Sequence, residues 1–509
     1  MSSRFHRTLP AHPDLDQQKK LAKELLRAYA EGDPEALARM RAQLPDKPSL
    51  VLADAQYVLA REYGFANWKE LSVHIEAARA NAQTPLDRIH AAFSQRDAPA
   101  VRRLFESHPE LRALINEPVF PFDSPALVHF ASGEDVELID VLLHFGADPN
   151  RRSGWWAGGF HPLHVARGAV ADRLIAAGAV PDACAAANLD RADLLARLLD
   201  DDPARVNERG GDGQTPLHFA RPREVIDLLL KLGADPNARD VDHRATPAQW
   251  MLDRSRGSGR YELARYLVER GATADIFLAA ALGLTERVHE LIQTDPSVLD
   301  LCTHQGEYGE FPPSSFHIYT WTIGQNLSPI AVAEQFEQKA AADVLRAFAS
   351  PLQRFLAACA QGHAAEARAL AGTYPQLLHE LRPEDHRALA DAAWARRASA
   401  VALMLELGFD PGVPGQDSGT ALHCAAWQGA TDCVVAMLRD RQARALVNAR
   451  DAVHASTPLG WCRHGSQHCG NPRADHAAVA RMLLEAGAEP EPGDASAAVR
   501  DVIDRWRRG

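Results

Sequence analysis

Two short phrases recur along this chain, always in the same order, and that periodicity limits the fold more than any other feature. The first reads TPLHFA at 215–220 and returns as SPALVHFA (124–131), HPLHVA (161–166), TPAQWM (246–251), SPIAVA (328–333), TALHCAA (420–426) and TPLGWC (457–462). The second reads LLLKLGADPN, ending at Asn237, and returns as LLHFGADPN, LIAAGAVPD, LVERGATAD, MLELGFDPG and LLEAGAEPE.

Each phrase has a local physical meaning. Thr215 suits an N-cap whose hydroxyl accepts a backbone N–H, and Pro216 suits the first helical position, where its missing donor costs nothing. TPLH therefore opens a helix. Gly233 suits the left-handed residue that closes a helix, and Asp235-Pro236 favours a turn. LGADPN therefore closes one and reverses the chain. The two amphipathic stretches between, 217–220 and 225–231, are each too short to bury an apolar face alone and must stack on neighbours.

A helix pair with a turn at a spacing of about 33 residues is the ankyrin pattern. The sequence resembles bacterial ankyrin-repeat proteins, strongly at 124–275 and 420–491. Weaker units recur at 89–106, 184–201, 277–294, 355–373 and 389–407, giving on the order of twelve units. The expected fold is an all-α ankyrin-repeat solenoid with an N-terminal helical cap. Residues 1–80 resemble the leader that precedes the repeats in such proteins, with Lys19, Lys20, Lys23 and Glu24 supplying a polar outer face. A first array covers 81–300, an aromatic-rich loop insertion 301–327, a second array 328–494, and a short charged helix, 495–509, covers the far end.

The repeats displace the estimate of about three domains that 509 residues would otherwise suggest. Net charge is −12, spread along the chain with no basic stripe, which argues against nucleic acid as a partner. No membrane insertion is expected: the best apolar window, 276–284, is half of a span. The first twenty residues lack an apolar core, so a cytoplasmic address follows. Seven cysteines without any CxxC pair read as reduced apolar fillers. A monomer is the default.

Recognition in a solenoid gathers where insertions leave the stack. The first interruption, 116–123 with 151–160, carries Trp155, Trp156 and Phe160. The second, 302–325, carries Tyr308, Phe311, Phe316, Tyr319 and Trp321. These eight aromatics are the expected partner-binding residues, since Trp and Tyr are enriched in interface hot spots; small satellite cores beneath the loops are the alternative.

The third interruption, 462–476, holds Cys462, His464, His468, Cys469 and His476. Its spacing departs from zinc-finger knuckles, so no metal is expected. His129, His164, His218 and His423 recur in the opening phrase, and the ankyrin resemblance implies that they tie the helix start to a neighbouring turn. His317 has no repeat explanation and no nucleophile constellation beside it. Walker, GxGxxG, HExxH and GxSxG motifs are absent. The resemblance thus implies a non-catalytic protein-interaction scaffold, with no cofactor, that binds another protein through its concave surface and loop insertions. The competing reading is an enzyme or a small-ligand or metal protein with a site built from 302–325 and 462–476.

Overall fold

The computed structural model describes residues 5, 7, 9, 15–30, 32–45, 47, 50–82, 84–253, 260–303, 316–490 and 493–508. These form helices joined by turns, with one isolated antiparallel bridge between Phe120 and Ser124. The chain divides into two units, Met1–Arg151 with Arg167–Gly178, and Arg152–Ala166 with Ala179–Gly509.

In the first unit, helices Leu15–Ala30, Pro34–Gln43 and Leu52–Glu62 close around Ala22, Leu25, Met40, Val58 and Leu59. Glu62 is buried at the edge of this cluster, and Arg39 meets it with two 2.8 Å hydrogen bonds, Nε to Oε1 and Nη2 to Oε2. A fork-to-fork pair of this kind satisfies a carboxylate that burial would otherwise penalise. Lys19, Lys23 and Glu24 are exposed. Repeat-type helices begin at Pro85–Ser94, where Thr84 Oγ1 accepts from Asp87 N (3.1 Å) and Asp87 Oδ2 accepts from Thr84 N (2.9 Å). Phe120 then packs edge-on to Phe93 and Phe130 and stacks on His129. His129 thus departs from the expected tie to a turn: SPALVHFA places it five residues after Ser124, where TPLH places histidine three after threonine.

In the second unit, helix pairs follow one another from Ala183–Asn188 and Ala192–Asp201 to Pro458–His468 and His476–Glu485, and Ala497–Arg508 packs after them with Val499 and Ile503 buried. Two turn devices recur. Gly233 has φ +93°, the left-handed position that a side chain resists. Asn237 accepts from Thr273 N (2.7 Å) and donates to Gly271 O (3.4 Å), and Asn448 does the same with Glu489 N and Gly487 O, each at 2.9 Å. One amide supplies both donor and acceptor, so an asparagine, the last letter of GADPN at 237 and of ALVN at 448, fastens its turn to the next.

The core of this unit is two consecutive clusters, and helix Pro351–Gln361 is the seam, giving Ala357 to one and Phe355, Ala358 and Cys359 to the other. That helix follows its predecessor without a long turn. The space so left is bridged: Gln325 Nε2 donates to Gln416 Oε1 and Asn326 Nδ2 to Asp391 Oδ2, each at 2.8 Å. Contacts therefore reach past the adjacent repeat at this point.

Two interruptions differ from expectation. Within 301–327 a helix, Ile318–Thr322, folds into the stack with Ile318 and Tyr319 fully buried. The last repeat's inner helix, Pro458–His468, runs through 462–468, so only 469–475 remain as connection. Gly465 makes this extension feasible, because a Cβ there would collide with the Trp427 carbonyl oxygen of the preceding inner helix.

Candidate functional site

The opening histidines are structural. His218 Nδ1 accepts from Thr215 N (3.1 Å) and its Nε2 donates to Ala245 O (3.1 Å); His423 repeats this with Thr420 N (3.2 Å) and Ser456 O (3.1 Å). Burial pushes His218 down to about 3, so the ring is neutral, with Nδ1 held by both the backbone N–H and the hydroxyl of Thr215 and Nε2 by Ala245 O. His164 follows the same plan, accepting from His161 N (3.2 Å) and Gly211 N (3.3 Å) and facing Asp182 Oδ2 at 2.9 Å. His164, Asp182 and Cys184 are close enough together to share an ion. Their chemistry points the other way: Asp182 also caps Ala185 N (2.7 Å) and pairs with Arg152, while burial and two carboxylates push the Cys184 thiol well up.

The cysteines and histidines of 462–476 do not converge as ligands either. The Cys462 thiol donates to His476 O (3.2 Å) and burial raises it, His476 Nε2 donates to Trp427 O (2.8 Å), and His464 and His468 are exposed. The first contact joins the two helices of the last pair, and the second fastens that pair to the preceding helix Ala421–Trp427.

The eight aromatics separate into distinct environments. Trp156 and Trp321 are each 64% exposed. Trp155 and Phe160 are half-buried, Phe160 against Gly211. Phe316 is half-buried edge-on to Phe277. Tyr319 is a correction: it is wholly buried, its hydroxyl donating to Asp275, and so offers no surface to a partner. Tyr308 and Phe311 lie outside the described residues.

Residues from both of the first two interruptions border one cluster of acids and imidazoles. Asp212, at φ +58°, has its carbonyl bound by Val241 N (2.9 Å) and Asp242 N (3.1 Å). Burial pushes its carboxyl up to about 7, helped by the Asp242 and Asp240 carboxylates and opposed by the Trp155 indole. Burial raises Asp240 to about 6, although it accepts from Trp250 Nε1 (2.5 Å) and His243 N (2.6 Å). His243 stacks on His317 at 5.5 Å, and Trp321 stands beside His317.

A second site was not anticipated. Inner helices Ala388–Trp394 and Ala421–Trp427 end in tryptophans whose rings are parallel within 8°, centroids 6.4 Å apart. His464 occupies the same register in Pro458–His468, 5.3 Å from the Trp427 ring, and Trp461 meets Trp427 at 76°. With His454 and Asp417 these side chains line a cleft of about 530 Å³. The signal was present as AAW in DAAWARR and CAAWQG, each tryptophan six residues after the first residue of its helix. The cleft is thus lined from the first helix of each of three consecutive pairs.

The ankyrin-repeat family matches residues 212–241 and 419–452, the segments that contain His218 and His423. These segments are ankyrin repeats. The chain is also similar to Ankyrin repeat and SAM domain-containing protein 6 of Rattus norvegicus, 32% identical over 119 residues, 23% of this chain and 13% of that protein. Its similarity to ANK repeat-containing protein nipk-1 of Caenorhabditis elegans is 24% over 226 residues, 40% of this chain and 32% of that protein. The chain spans less than a third of the length of these relatives, both of them animal proteins. Ankyrin repeats as a class serve protein–protein interaction, and among the described residues no helix is long and apolar enough to cross a membrane.

Proposed function

We propose that the chain is a non-catalytic recognition scaffold that binds another protein through its inner-helix face and the turns beside it, as a monomer in the cytoplasm. The observation that carries this reading is the cleft between Trp394, Trp427 and Trp461. Stacked indoles on consecutive repeats form a preorganised anchor site, and aromatic anchors dominate most protein interfaces. Trp156 and Trp321 add exposed aromatic surface elsewhere on the chain. A bacterial source fits the abundance of Ala and the excess of Arg over Lys. The test is affinity capture from lysate of the native organism with wild type and Trp427→Ala, read by mass spectrometry. Loss of one reproducible partner in the variant, at unchanged circular dichroism, supports the reading; identical capture sinks it.

A further inference from the structure

The tryptophan cleft has a definite electrostatic character. Three indoles, two imidazoles, one carboxylate, a serine and a glycine line it, with no lysine or arginine among them. Burial and the neighbouring imidazoles His468 and His454 hold His464 below its ordinary value, so that wall carries no positive charge at neutral pH. The Asp417 carboxylate is exposed at the turn Gln416–Ser418, and the chain as a whole carries −12. Indole faces and a carboxylate attract the same sign of charge.

Which cation fits follows from hydrogen bonding. A lysine ammonium is compact and strongly hydrated and needs three acceptors when it leaves water. The lining is short of charged ones: Asp417 is the one anion, and the Ser456 carbonyl already accepts from His423 Nε2 (3.1 Å) and Asp451 N (3.0 Å), which leaves a hydroxyl and ring nitrogens. A guanidinium is weakly hydrated on its faces, stacks on aromatic rings, and directs its N–H groups to its edge, where a carboxylate can take two of them. A volume of about 530 Å³ lies in the usual range of ligand clefts, roughly 300–1,000 Å³, and admits the side chain with its stem and flanking backbone.

We propose that this cleft is an arginine-binding site, taking one guanidinium side chain from a basic segment of the partner protein, stacked on the indoles with its edge toward Asp417. This rests on the protein-recognition reading above and adds the chemistry of the anchor.

The test titrates the full chain with acetyl-Gly-Gly-Arg-Gly-Gly-amide and with its citrulline, lysine and trimethyllysine counterparts. Binding is followed by tryptophan fluorescence and by the NMR shifts of the indole N–H groups. The arginine peptide is expected to saturate, with citrulline, its neutral isostere, weaker by about tenfold. Asp417→Asn is expected to weaken arginine binding by about three- to tenfold and leave citrulline unchanged. That side chain is exposed at φ +45°, a backbone asparagine adopts readily, so the variant tests charge without unfolding the repeat. Equal affinity for arginine and citrulline, tightest binding of trimethyllysine, or no saturable change with any peptide overturns the assignment. If no peptide binds yet Trp427→Ala still abolishes partner capture, the recognition reading stands without the arginine. If arginine binds while capture survives Trp427→Ala, the failure lies with the partner reading instead.

Discussion

The Tyr319 hydroxyl donates to Asp275 at 2.7 Å, joining the second interruption to the cap of a helix, 44 residues earlier in the chain. Asp275 is already the N-cap of Ile276–Leu282, accepting from Leu278 N at 2.9 Å, and Gln249 Nε2 donates to it at 3.1 Å. Three donors on one carboxylate explain why an interruption of the repeat is pinned into the core rather than presented to solvent. Tyr319→Phe keeps the ring and removes one charge-assisted bond. A loss of about 1.5–3 kcal/mol is expected, measured as a lower urea midpoint at unchanged m. An unchanged midpoint would show that Gln249 and Leu278 suffice.

The Asp212 carboxyl makes stability depend on pH in a direction opposite to ordinary salt-bridged acids. Its folded value is raised to about 7, above the unfolded value of roughly 3.9. Between these values the folded chain keeps a proton that the unfolded chain has released, so this contribution is present below about pH 4 and is lost as pH rises toward 7. The effect is on the order of a few kcal/mol. Asp212→Asn stays neutral and tolerates φ +58°. The stability of the variant minus that of wild type should therefore rise across this window. A difference independent of pH, in urea titrations at several pH values, counts against the assignment.

His218 contributes with the reverse sign. Its folded value of about 3 lies below the unfolded value of roughly 6.5, so stability is present above about pH 6.5 and is lost as pH falls toward 3. The next repeat shows how to remove this dependence while keeping the tie. There Gln249 takes the same register, with Thr246 N donating to its Oε1 at 2.8 Å and its Nε2 donating onward to Asp275. His218→Gln is expected to cost less than His218→Ala, by about 1–2 kcal/mol, and to reduce acid sensitivity. Equal destabilisation by both substitutions would mean that the glutamine does not reach Ala245 O.

What the sequence disclosed and what it concealed divide along the range of the interactions. The roles of Pro216 and Gly233 are local, so the repeat could be read from short phrases, whereas the Thr215 hydroxyl meets His218 Nδ1 rather than a backbone N–H, and His218 reaches Ala245 O in the next repeat. Tyr319 could not be read that way, because its partners Gln249 and Asp275 lie on other repeats and only stacking brings them together. The third interruption was drawn too wide because helix Pro458–His468 continues through 462–468, an extension that depends on Gly465 lying against the Trp427 carbonyl oxygen of the preceding repeat. The cleft was half visible: Trp394 and Trp427 share a register, but His464 replaces the third indole and Trp461 stands three residues before it, so no common spacing links all three tryptophans.

Trp156 and Trp321 allow recognition to be separated from folding. Each is 64% exposed, so little apolar area returns to water when it is removed. Trp156 touches Trp155 at a ring separation of 6.0 Å and Trp321 approaches His317 at 6.4 Å, contacts worth at most about 1 kcal/mol each at such exposure. Core tryptophans removed in the same way cost about 3–5 kcal/mol. The double variant Trp156→Ser, Trp321→Ser should therefore unfold within about 1–2 kcal/mol of wild type while capturing less partner. Unchanged capture at unchanged stability would remove both residues from the binding surface and confine recognition to the inner-helix cleft. A loss of stability as large as that of a core residue would instead place the two side chains beneath a folded loop.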